Sequence, residues 1–141
     1  MKNTLNLILL SSLILFISGC NSGGGGDDHT SQDRVAIEDI YFEDADFKKH
    51  ILSEGASYAD EVTNIFYMNK GLSSLVGLEN FSNLLGLQIP DNNINDITPL
   101  QNLTKLTFLN LIYNSIPCAD IEALRKSLPA ATILNECNLP L

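Results

Sequence analysis

The stretch Leu84-Leu-Gly-Leu87-Gln-Ile89-Pro-Asp-Asn92-Asn-Ile94-Asn-Asp-Ile97 returns with a period of 22 as Leu106-Thr-Phe-Leu109-Asn-Leu111-Ile-Tyr-Asn114-Ser-Ile116. Leu87 aligns with Leu109, Ile89 with Leu111, Asn92 with Asn114 and Ile94 with Ile116. The match runs backwards too, pairing Leu78 with Leu100, Phe81 with Leu103 and Leu84 with Leu106. One period earlier, Ile65, Tyr67, Leu72 and Leu75 hold the places of Leu87, Ile89, Ile94 and Ile97, although Lys70 stands where the asparagine should be. Self-similarity at a short fixed period marks a stack of coils, none of which can bury its apolar side alone.

Each unit has a physical reading. Leu87-x-Ile89 alternates, which gives a short strand with two apolar residues on one face. The asparagine can satisfy backbone groups where the chain bends, and stacked copies form a ladder of such bonds. From Thr98 to Leu106 apolar residues recur every third position, at Leu100, Leu103 and Leu106. That is the spacing of a tight 3₁₀-like or helical return on the convex side. A bundle of long helices is the competing reading, and Pro90, Pro99 and Pro117 with Gly71, Gly77 and Gly86 argue against it.

Written as L-x-x-L-x-I-x-x-N-x-I-x-x-I, the segment 84–97 resembles the leucine-rich-repeat signature, and 106–116 follows it. The spacing, with Ile97-Thr98-Pro99-Leu100 closing the turn, is similar to the internalin class. The resemblance covers residues 62–117 strongly and the flanks more weakly. It implies an α/β solenoid of about three repeats whose concave sheet face is the usual binding face.

The flanks read as caps over the open ends of that stack. On the N-side, residues 34–61, Val35 to Phe42 is expected as a short strand or extended segment. Asp44 then caps a helix with Phe47 and Ile51 on one face, and Gly55 stops it. His50 lies on this helix as a surface or cap-packing residue. On the C-side, residues 118–141, Asp120 is expected to cap a helix carrying Ile121, Leu124 and Leu128. Pro129 ends it, and Thr132 to Leu134 is read as a last strand.

The first nineteen residues do not belong to this domain. Lys2 gives a short positive start, and Leu5 to Ile17 is apolar apart from Asn6, Ser11 and Ser12. That run is short of the about 20 residues a membrane span needs and fits the core of a secretory signal. Ile17-Ser18-Gly19-Cys20 resembles the bacterial lipobox, which implies cleavage before Cys20 and lipidation of its thiol. Two or more acyl chains, at roughly 0.8 kcal/mol per buried CH₂, anchor a protein stably to a membrane. Asn21, rather than aspartate, follows the cysteine and resembles the pattern sent to the outer membrane in bacteria that have two. The expected place is therefore the bacterial cell envelope. Residues 20–33, lipidated Cys20 followed by the polar, glycine-rich Asn21-Ser-Gly-Gly-Gly-Gly-Asp-Asp-His29, read as a flexible tether.

Cleavage leaves 122 of the 141 residues, enough for one domain, and moves the formal charge from −9 to −10. So acidic a chain offers no footprint for nucleic acid, and the lipid rather than charge would hold it to a membrane. Cys118 and Cys137 remain as an even pair in an oxidising compartment, where a disulfide is the default over two free thiols. Closing a loop of that length contributes roughly 3 kcal/mol in the chain-entropy picture.

The residues suggest recognition rather than catalysis. No phosphate-cradling glycine loop and no G-x-S-x-G elbow occurs. With His29 and His50 as the only histidines, and His29 in the tether, a catalytic triad is not expected. Two cysteines fall short of a closed zinc site, and the acidic residues of 27–61, eleven against three basic, lack the spacing of a calcium-binding EF-hand loop. They read as a solvated cap face, with a cation site or a docking surface for a basic partner as alternatives. No metal and no cofactor is expected.

In register, the side chains between the buried leucines project from the sheet in three rows. The first row is Asn64, Phe66, Met68 and Asn69; the second is Gly86, Gln88, Pro90 and Asp91; the third is Phe108, Asn110, Ile112 and Tyr113. Exposed apolar area of this kind marks interaction sites, and aromatics with Met favour interface centres. The expected partner-binding residues are Phe66, Met68, Gln88, Asp91, Phe108, Asn110, Ile112 and Tyr113. The alternative is that they pack against a flank or a second copy, in a structural, self-associating lipoprotein.

Overall fold

The computed structural model describes residues 34–137. The expectations for 1–19, Cys20, the tether and His29 lie outside them. Four three-residue strands form one parallel sheet in sequential order: β1 Asn64–Phe66, β2 Gly86–Gln88, β3 Phe108–Asn110 and β4 Thr132–Leu134. The register is the sequence period itself, with Ile65 opposite Leu87 and Leu87 opposite Leu109. The last step pairs Leu109 with Ile133, a longer interval than the others because a full helix replaces the tight return. The sheet therefore has one strand more than three repeats supply, the fourth coming from the C-terminal cap.

The returns between strands are short 3₁₀ turns at Leu78–Asn80 and Thr98–Leu100, stacked on each other along the convex side. Each coil sends its apolar residues inward. Leu72, Leu78, Leu84, Leu87, Ile89, Ile94, Leu100, Leu106 and Leu109 are wholly buried. Truncating any one to alanine is expected to cost about 2–5 kcal/mol, since such an interior refills poorly.

Asparagines close the bends. Asn92 is buried, and its Oδ1 accepts the N–H groups of Lys70 and Leu72, both at 3.1 Å. Its Nδ2 donates to Tyr67 C=O at 2.7 Å and Ile89 C=O at 3.1 Å. Asn114 repeats the arrangement one coil on, accepting from Ile94 N–H at 3.0 Å and donating to Ile89 C=O at 2.9 Å. The first coil manages without an asparagine at Lys70 because the N-terminal cap, not another repeat, lies before it.

Helix α1, Ala45–Ser53, seals the N-terminal end. Asp44 caps it, its side chain accepting Phe47 N–H at 2.8 Å, and Gly55 ends it with φ +89°. Phe47 and Ile51 are buried, with Phe47 against Tyr67 and Phe42 against Phe81 in an aromatic cluster. The segment Val35 to Phe42, expected as a short strand or extended segment, is extended at Ala36 and Ile40 but does not form a continuous strand. It makes a single antiparallel bridge, Ala36 to Tyr58, and turns through a 3₁₀ segment at Ile37–Asp39. The reason is in its spacing: Ile37, Ile40 and Phe42 are all buried, and a flat alternating strand would turn Ile37 away from the other two. Gly77 lets this segment close, because a Cβ there would meet the Phe42 ring and Tyr41 C=O at 2.9 Å.

Helix α2, Cys118–Ser127, closes the other end with Ile121 and Leu124 buried and Leu128 just beyond. Asp120 is not its cap. Pro117 takes that position with an extended ψ of 136°, and Asp120 sits in the first turn, where its charge complements the helix dipole. Cys118 and Cys137 are disulfide-bonded, with 5.5 Å between their Cα atoms, which ties the start of α2 to the end of β4's loop.

The candidate recognition face

The strands divide the sheet into two faces. Ile65, Leu87, Leu109 and Ile133 point into the core and are buried. Their neighbours in the strands point to solvent in two cross-strand columns, Asn64, Gly86, Phe108, Thr132 and Phe66, Gln88, Asn110, Leu134. Beyond the strand ends, Met68 and Tyr113 are exposed in the bends that follow β1 and β3. Phe66 is 55% exposed, Met68 44% and Tyr113 64%, values high enough for the rings and the thioether to be contacted from outside.

The eight expected binding residues divide accordingly. Phe66, Met68, Asp91 and Tyr113 are exposed, while Gln88, Phe108, Asn110 and Ile112 are half-buried. Pro90 and Gly86, placed in the same rows by the sequence, are buried and present little surface. Gly86 is covered by its neighbour: a Cβ there would run into Asn64 Oδ1. Leu134 was not among the expected residues, yet at 38% exposed it extends the Phe66 column on the fourth strand. The longer last interval hid it from a period of 22.

The bend after each strand carries a feature the sequence did not announce. Asn69, Asp91 and Tyr113, spaced by the repeat, all have left-handed backbone, with φ of 52°, 55° and 59°. Asparagine and aspartate tolerate that conformation; tyrosine is held there at a cost of about 1–2 kcal/mol. The N–H of Asn69 donates to Pro90 C=O at 3.2 Å and that of Asp91 to Ile112 C=O at 3.0 Å. Tyr113 has no further repeat to use, and its N–H donates to the Glu136 carboxylate at 3.0 Å. Glu136 is next to the disulfide-bonded Cys137, so the covalent staple and the most exposed aromatic of this face are two contacts apart.

Charge is concentrated elsewhere. Arg34 pairs with Asp60 at 2.8 Å and Glu61 at 2.7 Å, tying the start of the cap to the segment before β1. The Arg34 guanidinium, helped by Ser57 and Tyr58 N–H groups, holds the Glu61 carboxyl below its ordinary value of 4.5. Among the described residues no group of three or more His, Cys, Asp or Glu side chains is gathered to hold a metal ion. His50 packs its ring on Tyr67, 4.8 Å between centroids, in the cap-packing role expected of it.

No protein-family model matches the chain. No curated protein matches it either. Solved structures do. An internalin (inlF) of Listeria monocytogenes superposes with a TM-score of 0.59 at 28% identity, over 72% of this chain and 32% of its own. An internalin C2 of the same organism gives 0.59 and 28%, over 71% of this chain and 47% of its own. The chain thus spans a third to a half of the internalins it resembles. With the parallel four-stranded sheet and its 22-residue register, this likeness makes the domain a short leucine-rich-repeat solenoid of the internalin-like kind, a fold that typically serves as an interaction scaffold.

Proposed function

We propose that the protein is a lipid-anchored recognition module of the bacterial cell envelope, and that the solvent face of its sheet binds a partner protein. One observation carries the reading. A rigid sheet, fixed from behind by a close-packed aliphatic core, presents Phe66, Met68 and Tyr113 to water, with Leu134 of the fourth strand exposed beside them. Exposed aromatics and Met on a rigid support are what interface centres are made of. Tyr113 adds a further argument, since its left-handed backbone would suit asparagine or aspartate better, and an unfavourable residue at an exposed bend points to a role outside the fold. Anchoring rests on the resemblance of residues 17–20 to a lipobox, and catalysis forms no part of the role.

The test is in cells. A photo-crosslinking amino acid at Tyr113 or Met68 is expected to give a discrete adduct with one partner, and the same group at Asn95, on another side of the coil, none. Equal adducts from all three positions, or none from any, would contradict the reading. Labelled palmitate should enter the native chain and not Cys20→Ala; incorporation into both rejects the anchor. The second reading, self-association through the same face, is favoured by the continuity of Leu134 with Phe66 across the strands. It predicts that the Tyr113 adduct is a dimer of this chain.

A further inference from the structure

A cleft of about 390 Å³ opens between the last turn of α1 and the outer edge of β1, with His50, Ile51, Glu54, Val62 and Phe66 among its walls. That volume lies toward the lower end of small-ligand sites, about 300–1,000 Å³. The edge is unsatisfied in a particular way. Thr63 C=O accepts Gly86 N–H at 3.1 Å, and Tyr67 N–H and Asn69 N–H donate to Gln88 and Pro90 carbonyls at 2.8 and 3.2 Å. Odd-numbered residues therefore face β2. The alternation of a parallel ladder turns the main-chain groups of Asn64 and Phe66 the other way, toward the cleft. Phe66 C=O has a partner there, His50 Nε2 at 2.9 Å, and since a carbonyl only accepts, Nε2 carries the proton. Asn64 C=O and Phe66 N–H have none among the described residues.

We propose that this edge is a second binding site, taking a short extended peptide segment in which an aliphatic residue is flanked by lysine or arginine. One residue of a parallel guest strand, lying opposite Ile65, donates its N–H to Asn64 C=O and accepts Phe66 N–H. Its side chain turns to the same side as Ile65, where Ile51 and Val62 offer apolar walls. The two flanking residues turn to the solvent side. His50 occupies the next acceptor, so the added ladder ends there and the guest is short. Main-chain bonds supply the affinity and the walls the choice of side chain. Charge selects a cation: Glu54 has no ion-pair partner among the described residues, which hold fourteen acidic against seven basic side chains. The cleft borders the sheet face and shares Phe66 and Gln88 with it, but main-chain pairing along the β1 edge does not require that face to bind anything.

The experiment titrates the full-length chain with the blocked peptide acetyl-Val-Lys-Val-Lys-Val-amide, followed by amide NMR and hydrogen exchange. Saturable shifts centred on Phe66 N–H, with its exchange slowed, are expected at up to millimolar peptide. The glutamate analogue of the peptide, and the native peptide on Glu54→Lys, should each bind about fivefold or more weakly. Phe66→Pro, which removes the donor, should abolish binding, and Phe66→Ala, which keeps it, should not. If Phe66→Pro fails to fold, the Glu54→Lys and exchange results decide. Tyr113→Asn should leave the peptide affinity unchanged, which separates this site from the sheet face. The proposal is overturned if Phe66 does not respond or if the glutamate peptide binds equally. It is also overturned if Phe66 N–H is already protected in the free chain, by a second copy at high concentration or by the chain's own N-terminal residues at any.

Discussion

Asn92 Nδ2 donates to Tyr67 C=O at 2.7 Å, in the place a backbone N–H would fill were residue 90 not proline. In the parallel ladder, Tyr67 C=O falls opposite residue 90, and Pro90 has no donor. The side chain two residues later replaces it and, in the same act, accepts Leu72 N–H at 3.1 Å. Asn92→Ala leaves several buried groups of two coils unpaired, each worth about 1–3 kcal/mol. A loss of about 3 kcal/mol or more is expected in urea unfolding. Asn114→Ala, at a half-buried site, should cost less. Equal, small losses for both would mean that water replaces the side chains.

Tyr113 gives a prediction of opposite sign. Its φ of 59° suits asparagine better, so Tyr113→Asn should raise stability by about 1 kcal/mol. The same change should weaken crosslinking or co-purification of a partner by removing an exposed ring. Thermal unfolding and partner capture on one preparation check both. A variant that is less stable would show that the ring packs on the domain. Phe108 behaves otherwise. It is half-buried, and Phe108→Ser is expected to cost stability where a wholly exposed ring would not.

The staple should matter twice. Removing it with Cys118→Ala and Cys137→Ala is expected to cost about 3 kcal/mol, the loop-closure value for its 19-residue separation. Because Glu136 holds Tyr113 N–H, the exchange of that amide should quicken more than those of Asn69 and Asp91. Uniform quickening would place the disulfide's effect on global stability alone.

Acid should loosen the N-terminal cap. The Arg34 guanidinium, then Ser57 and Tyr58 N–H groups, depress the folded-state value of Glu61. A depressed carboxyl contributes stability above its unfolded value, about 4.5, and that contribution is lost as pH falls through the lower folded value. Glu61→Gln should therefore flatten the acid limb of stability against pH, and leave the limb above neutrality alone. An unchanged acid limb would show that the Arg34 contacts do not persist in solution.

The sequence carried the sheet and its register because identical strands must pair at the repeat interval; Leu87 opposite Leu109 was legible from spacing alone. Asp44, Phe47, Ile51 and Gly55 were legible as a helix for local reasons of capping and helical spacing. What stayed hidden depends on distant contacts. Val35–Phe42 looks like a strand until Gly77 admits the Phe42 ring and Arg34 meets Asp60. Asp120 looks like a cap until Pro117 proves able to hold the extended backbone before the helix. Of the recognition face, the rows were readable, but the burial of Phe108 and Ile112 against Phe66 and Tyr113 was not. Side-chain exposure at equivalent register depends on what the next coil places alongside. The His50–Phe66 contact, and the cleft beside it, had no signal in the repeat.

The sheet face as a partner site is tested most directly by hydroxyl-radical footprinting of the chain in its own cells and after purification. Phe66, Met68 and Tyr113 should be modified readily in the purified protein and markedly less in the envelope. Tyr41, 73% exposed in the N-terminal cap, should react alike in both and serve as the internal control. Equal modification of all four residues in cells and in isolation would leave the sheet face without an occupant and contradict the account.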